Sequence, residues 1–303
     1  DRYVQMMLNA GVREKIDMYA LVMGPGSSTK ADIRYLDTST GQHRNLALNV
    51  GDPLWKEVWI AFLPVLREHL KEKGWFGRAM LGFDEKPAGV MKTIFDFVVQ
   101  YAPDFKVSSS GGYPGDERKW GDEIIFFYDV MMDPAQWEKY KPLVRRMRED
   151  PGKYVGFYTC CAPVYPNTFL FSQLRESRLM PWLARKYGLD GYIRWAADIY
   201  PENVWEQVRF TWPSGDMFFV YPGPDGPLDS MRWELLRQGI QDYEAYRIAW
   251  DAAEKAGRAE LLDKLRRALE LGTEIDNCGM LPPIAEARAL VDEVLRELAP
   301  AER

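Results

Sequence analysis

Asp84 and Glu85 stand side by side at the end of an apolar stretch, Ala79-Met80-Leu81-Gly82-Phe83, and Lys86 and Pro87 follow them. The stretch reads as a short buried strand that Pro87 stops, with an amphipathic helix beyond it. Two neighbouring carboxylates are equipment for acid–base work. One can protonate a departing oxygen while the other acts as nucleophile, base or electrostatic stabiliser, as in the cleavage of glycosidic bonds. The C-terminal end of a parallel strand is also where barrel enzymes place their chemistry. The alternative is a pair of acids favouring the N-terminus of the helix that follows.

Adjacency limits what the pair can do. Successive strand residues point to opposite faces, so both carboxylates reach one pocket only if the strand frays at its end. Such a pair suits two jobs on one edge of a substrate.

Around the pair, strand-like and helix-like segments alternate. Residues 1–13 read as the end of a helix, Lys15–Met23 as a strand closed by Gly24-Pro25-Gly26, and residues 27–51 as an excursion holding a small hairpin. Asp52-Pro53 marks a helix start. Leu54, Val58, Phe62, Leu66 and Leu70 recur along it, Pro64 should kink it and Gly74 ends it. Strands are then expected at Arg78–Glu85, Phe105–Ser109, Glu123–Val130, Lys153–Cys160 and Gly191–Ala196. Helices are expected over 88–101, 134–149 and 172–187, a hairpin or loop over 207–222, and two or three helices over 229–298 with a break near Asn277–Pro283. Alternation of this kind predicts an α/β fold with a parallel sheet. No G-x-G-x-x-G or P-loop pattern follows any strand, so a TIM-type (β/α)8 barrel is expected rather than a nucleotide-binding sheet. About six strands are visible, fewer than a closed barrel needs. The expected domains are a barrel over 1–228, incomplete at its N-terminus, and packed C-terminal helices over 229–303.

Composition narrows the class. The net charge is −6 and no basic block follows a phosphate backbone, which argues against a nucleic-acid partner. No apolar run approaches the roughly 20 residues of a membrane span. Only two histidines, His43 and His69, and three cysteines, Cys160, Cys161 and Cys278, are present, in no metal-ligand pattern. No metal or other cofactor is expected. Aromatic residues reach 14%, which either core packing or sugar stacking would use. No cellular location follows.

Several segments, in order along most of the chain, together form a pattern: Leu70-Lys71-Glu72-Lys73-Gly74-Trp75, Gly82-Phe83-Asp84-Glu85-Lys86-Pro87, Tyr158-Thr159-Cys160-Cys161-Ala162-Pro163, Pro166-Asn167-Thr168-Phe169, Trp182 to Tyr192, Arg194-Trp195, Trp212-Pro213-Ser214-Gly215-Asp216, Tyr221-Pro222-Gly223, and Ser230-Met231-Arg232-Trp233-Glu234 with Gly239 to Glu244. This combination resembles glycoside hydrolase family 123, the β-N-acetylgalactosaminidases, and related bacterial proteins sharing its C-terminal region. The resemblance implies a barrel whose fourth strand ends in the acid pair, whereas here a single candidate strand precedes it. It also implies a β-sandwich before the barrel, outside this chain.

The implied activity is exo-acting removal of terminal β-linked N-acetylgalactosamine from an amino-sugar glycan by substrate-assisted, retaining catalysis. Glu85 would be the acid and then the base, and Asp84 would orient the 2-acetamido group and stabilise the oxazolinium-like intermediate. Tyr158, Tyr165 and Asn167 are expected to line the site, with a tyrosine hydroxyl on the acetamido oxygen. Trp195 would form an aromatic floor, or simply pack in the core. Arg194 alternates with Trp195, so one of the two points inward unless the strand is ending. Asp216, Arg232 and Glu234 would bind sugar hydroxyls or form a structural ion-pair network. Tyr113 and Trp120 lie on a loop that could close over substrate. A β-N-acetylglucosaminidase or other glycosidase, and a non-catalytic carbohydrate-binding scaffold on a degenerate barrel, are the alternatives.

Overall fold

Strands and helices alternate in the computed structural model, which describes residues 1–22, 28–111, 121–209, 211–275 and 281–299. The expected turn at Gly24-Pro25-Gly26, and Tyr113, Trp120 and Cys278, lie outside the described residues. The chain divides into two units, Asp1–Phe127 with Lys141–Tyr154, and Tyr128–Tyr140 with Val155–Arg303.

The first unit opens with α1 (Arg2–Asn9), β1 (Ile16–Tyr19) and a hairpin of β2 (Lys30–Asp37) and β3 (Gln42–Asn49). The Asp37 carboxylate accepts the Ser39 N–H at 3.0 Å, which sets the hairpin turn. Then come α2 (Pro53–Glu72), β4 (Ala79–Asp84), α3 (Ala88–Tyr101), β5 (Lys106–Ser110) and β6 (Glu123–Phe127). In this unit the strands β1, β4, β5 and β6 lie side by side in that order, all parallel. Ala79, Leu81 and Phe83 turn one face of β4 into a core shared with Trp55 and Leu63 of α2 and Ile94 and Phe95 of α3. The alternate residues Met80, Gly82 and Asp84 therefore face the other way.

Two local expectations change, the buried face of α2 and the end of β6. The buried stripe of α2 is Trp55, Trp59, Leu63 and Leu70, whereas Leu54 and Phe62 are exposed. A strict spacing of four advances about 40° per step on a helix of 3.6 residues per turn, so it drifts off any one face. Tryptophan anchoring decides the face instead, and Trp55 Nε1 donates to the Leu21 carbonyl at 2.6 Å. Asp52 occupies the N-cap position without a side-chain cap bond and accepts from Asn49 Nδ2 at 3.0 Å. Pro64 lies inside this helix, where the sequence places it. Finally, β6 stops at Phe127, and Tyr128 starts a helix rather than continuing the strand.

The second unit contains α4 (Tyr128–Met132), the start of α5 (Pro134–Arg148), nearly all of β7 (Tyr154–Thr159), α6 (Arg175–Tyr187), β8 (Gly191–Arg194), α7 (Met231–Lys255), α8 (Ala259–Thr273) and α9 (Ile284–Leu298). β7 and β8 are parallel, with Thr159 opposite Arg194. The described strands of the parallel kind thus number six, as the alternation predicts. The apolar run 217–220 forms no strand; Phe218 makes one bridge to Asp198. The three C-terminal helices bury Tyr246, Ala249 and Ala253 of α7, Leu261, Leu265 and Ala268 of α8, and Ala287, Val291 and Val294 of α9. Asp242 of α7 is buried and accepts from Arg178 Nε (2.7 Å) and Trp182 Nε1 (3.0 Å) of α6 and from Arg288 Nη1 (2.8 Å) of α9. This carboxylate fastens three helices together.

Candidate active site

Asp84 is the last residue of β4, in register with Ser110 of β5. Glu85 keeps one further sheet bond, its N–H donating to the Ser110 carbonyl at 3.0 Å. Its backbone then turns to φ +31°, a left-handed value that only a constrained residue adopts outside glycine. This turn breaks the strand alternation, so the two carboxylates are not forced onto opposite faces. Glu85 is exposed and Asp84 is half-buried. The helix α3 begins later, at Ala88, with Pro87 at its N-cap and no side-chain cap bond. Neither acid occupies the N-cap position of that helix.

Two neighbours escaped the sequence reasoning. Lys86 is 6% exposed, and its ammonium lies beside both acids: burial pulls its pKa below the usual lysine range while Asp84 and Glu85 hold it up. It places a buried cation beside both carboxyl groups. Tyr19 ends β1, where it pairs in register with Gly82; it is 66% exposed, and partial desolvation with the charges of Asp84 and Asp17 raises the pKa of its hydroxyl. The alternation Lys15, Asp17, Tyr19 on a strand bordering β4 was the available signal. Deeper along the same strands, Lys15 pairs with the buried Glu123, which also accepts from Ser108 Oγ at 2.6 Å. Burial raises the pKa of Asp17 there, with Lys15 opposing and Glu123 reinforcing the shift.

In the second unit a buried polar network gathers four of the expected residues. Arg194 forms an ion pair with Asp216, and its Nη1 donates to Asn167 Oδ1 at 2.6 Å and Thr159 Oγ1 at 2.9 Å. Trp195 Nε1 donates to the other oxygen of Asp216 at 3.0 Å. The strand β8 ends at Arg194, so the next residue is released from alternation and both side chains converge on one carboxylate. Burial raises the pKa of Asp216, and Arg194 and the Trp195 N–H oppose that. The indole itself stays 43% exposed, an open aromatic face held by a buried anchor. Asn167 is fully buried; its Nδ2 bonds the Cys160 carbonyl at 3.1 Å, and its backbone N–H donates to Glu176 at 2.8 Å.

Four further expected residues have other places. Tyr158 is buried on β7, and alternation puts it on the face opposite Thr159. Tyr165 is half-buried in the loop before Asn167. Arg232 is 3% exposed and donates to three carbonyls, those of Thr168 (2.6 Å), Gly215 (2.9 Å) and Phe218 (2.7 Å). It fastens loops, and Gly215, at φ +83°, is bare where a Cβ would stand 2.8 Å from its Nη1. Glu234 lies in the first turn of α7, paired with Arg237. Among the described residues no group of three or more metal-ligating side chains converges, and no helix is long and apolar enough to cross a membrane.

The family model for the catalytic domain of glycoside hydrolase 123 matches residues 1–249. Among solved structures, a family 123 glycoside hydrolase from Clostridium perfringens that acts on glycolipid glycans is similar, with a TM-score of 0.76 and 22% identity over 98% of this chain and 53% of that one. The chain thus spans about half the length of that solved relative. A Bacillus subtilis protein with an EAL domain matches at a TM-score of 0.32 and 12% identity, over 78% of this chain and 51% of that one, too weakly to carry an argument. No curated protein matches the chain.

Proposed function

This chain belongs to the glycoside hydrolase 123 family, and from that premise we propose that it is an exo-acting β-N-acetylgalactosaminidase that works with the help of its substrate's own acetamido group. The observation that carries the proposal is the left-handed turn at Glu85, directly after Asp84 at the end of β4. It gives two adjacent carboxylates a way to serve one side of a sugar.

In this scheme Glu85 donates its proton to the glycosidic oxygen as the bond from C1 to that oxygen breaks. The acetamido oxygen attacks C1 from the other side and forms an oxazolinium-like ring. Asp84 accepts the acetamido N–H, aligns the amide and stabilises the positive charge of that ring. Glu85, now a carboxylate, takes a proton from water, the water attacks C1 and the ring reopens. Two inversions give net retention. Adjacent carboxylates suit this division of labour better than the two flanking groups of a direct displacement.

Trp195, anchored by Asp216, offers an aromatic face of the kind on which sugar C–H surfaces stack. A finer fold reading, six strands of a TIM-type (β/α)8 barrel, is supported by the likeness in fold to the Clostridium perfringens enzyme. Glycans bearing terminal β-linked N-acetylgalactosamine are the proposed substrates, and the glycolipid glycans hydrolysed by that relative belong in the first screen.

The test is release of a chromophore from aryl β-N-acetylgalactosaminides, with the glucosamine epimers alongside. Glu85→Gln should lose nearly all turnover, on the order of 10²–10⁴-fold for a general acid–base residue. Wild-type turnover in that variant removes Glu85 from the mechanism. Asp84→Asn should slow N-acetyl substrates strongly, and an unchanged rate rules out acetamido participation.

A further inference from the structure

We propose that Gly111 is a positioning residue for the acid: its missing side chain is what lets Glu85 stand where β4 ends. The inference rests on Glu85 being the general acid.

Glu85 and Gly111 each follow the last residue of neighbouring parallel strands. The Glu85 N–H donates to the Ser110 carbonyl at 3.0 Å, and the Gly111 N–H donates to the Ile125 carbonyl at 3.1 Å. Sheet bonding therefore fixes the two backbones side by side. A Cβ on Gly111 would lie 2.9 Å from Glu85 Cγ, 3.1 Å from its Cα and 3.4 Å from its Cβ. Real Cβ atoms essentially never approach a neighbour within 3.0 Å. One of the crowded atoms is backbone, and the Glu85 backbone is already held at φ +31°, so it has little room to yield. Gly111 itself adopts φ +99°, which L side chains rarely take. Glycine is thus demanded twice, by its own backbone and by Glu85.

A side chain at position 111 has to push Glu85 away from its place. A general acid must stay within hydrogen-bond reach of the oxygen it protonates, and a shift of about 1 Å can cost on the order of 10²-fold in rate. The loss should depend on the leaving group. A dinitrophenolate departs without a proton, whereas an alkoxide needs one.

The experiment compares wild type, Gly111→Ala, Glu85→Gln and Gly188→Ala on dinitrophenyl and methyl β-N-acetylgalactosaminides. Gly188 is a control: it sits at φ +69°, and a Cβ there would meet nothing within 4 Å. Gly111→Ala should lower kcat on the methyl glycoside by on the order of 10²-fold and on the dinitrophenyl glycoside far less, following Glu85→Gln. Gly188→Ala should leave the ratio between the two substrates at its wild-type value. Equal loss on both substrates in Gly111→Ala, or no loss, overturns the proposal.

A second readout needs no activity and covers a poorly folding variant. The urea midpoint drop caused by Gly111→Ala should be smaller in a Glu85→Ala background, where the crowded Cγ is gone. An equal drop in both backgrounds overturns the proposal. If wild type hydrolyses neither glycoside, the functional reading fails, and this coupling alone decides whether Gly111 positions Glu85.

Discussion

At Glu85 the backbone turns left-handed one residue after the strand ends, and non-glycine residues held there store strain of about 1–3 kcal/mol. The surrounding sheet bonds to Ser110 and Ile125 over-determine that conformation. Lys86, buried beside the two acids, sets a cation next to this turn, and burial pulls its pKa down while the acids hold it up. A titration deeper along these strands gives a separate prediction. The folded-state pKa of Asp17 lies above its ordinary value of 3.8, with burial the main cause. A raised carboxyl pKa means that the folded state binds the proton more tightly than the unfolded chain. The associated stability is present below that ordinary value and is lost as pH rises through the folded pKa. Asp17→Asn does not ionise, so its melting temperature relative to wild type should climb as pH rises from about 3 to about 6. A difference that falls over this range shows that Lys15 outweighs burial at this residue.

Element ends, more than element interiors, assemble the polar sites. At the end of β8, Arg194 and Trp195 both reach Asp216 because the strand stops between them. At the end of β4 the same release acts on Asp84 and Glu85. The helices are joined differently, by one buried carboxylate. Asp242 serves Arg178, Trp182 and Arg288 from α6 and α9. Removing one partner of a buried ion pair leaves uncompensated charge, which costs about 3–5 kcal/mol. Asp242→Ala should lower the unfolding free energy in urea by that amount. A loss below about 1 kcal/mol, the worth of an exposed pair, would show that water reaches these arginines.

Across the whole molecule the hydrophobic residues divide between two units. The first is built around Leu81, Trp55 and Phe95, and the second includes Trp182, Tyr246 and Leu265. Two cores predict thermal unfolding that departs from a single two-state transition, with a calorimetric enthalpy larger than the van't Hoff value. Leu81→Ala, worth about 2–5 kcal/mol, should shift one transition, and Asp242→Ala the other. If both variants move one shared transition, the chain unfolds as a single cooperative body.

Most elements were legible because they are encoded locally. A run such as Ala79–Phe83 is apolar on successive residues, and strand and helix periods show within a few positions. The acid pair, the succession of six strands and the likeness to family 123 could be read from such segments alone. The choice of buried face on α2 could not, because two overlapping stripes compete and the packing of Trp55 and Trp59 selects one. Nor could the role of Arg232, whose three carbonyl partners come from Thr168, Gly215 and Phe218, far from it along the chain. The sequence by itself determined where two carboxylates adjoin at a strand end. Only the tertiary structure decided how they can share a task. The left-handed turn at Glu85 and the bare Gly111 beside it lie 26 residues apart (111 − 85), and the sheet register that brings them together leaves no periodic mark on the chain.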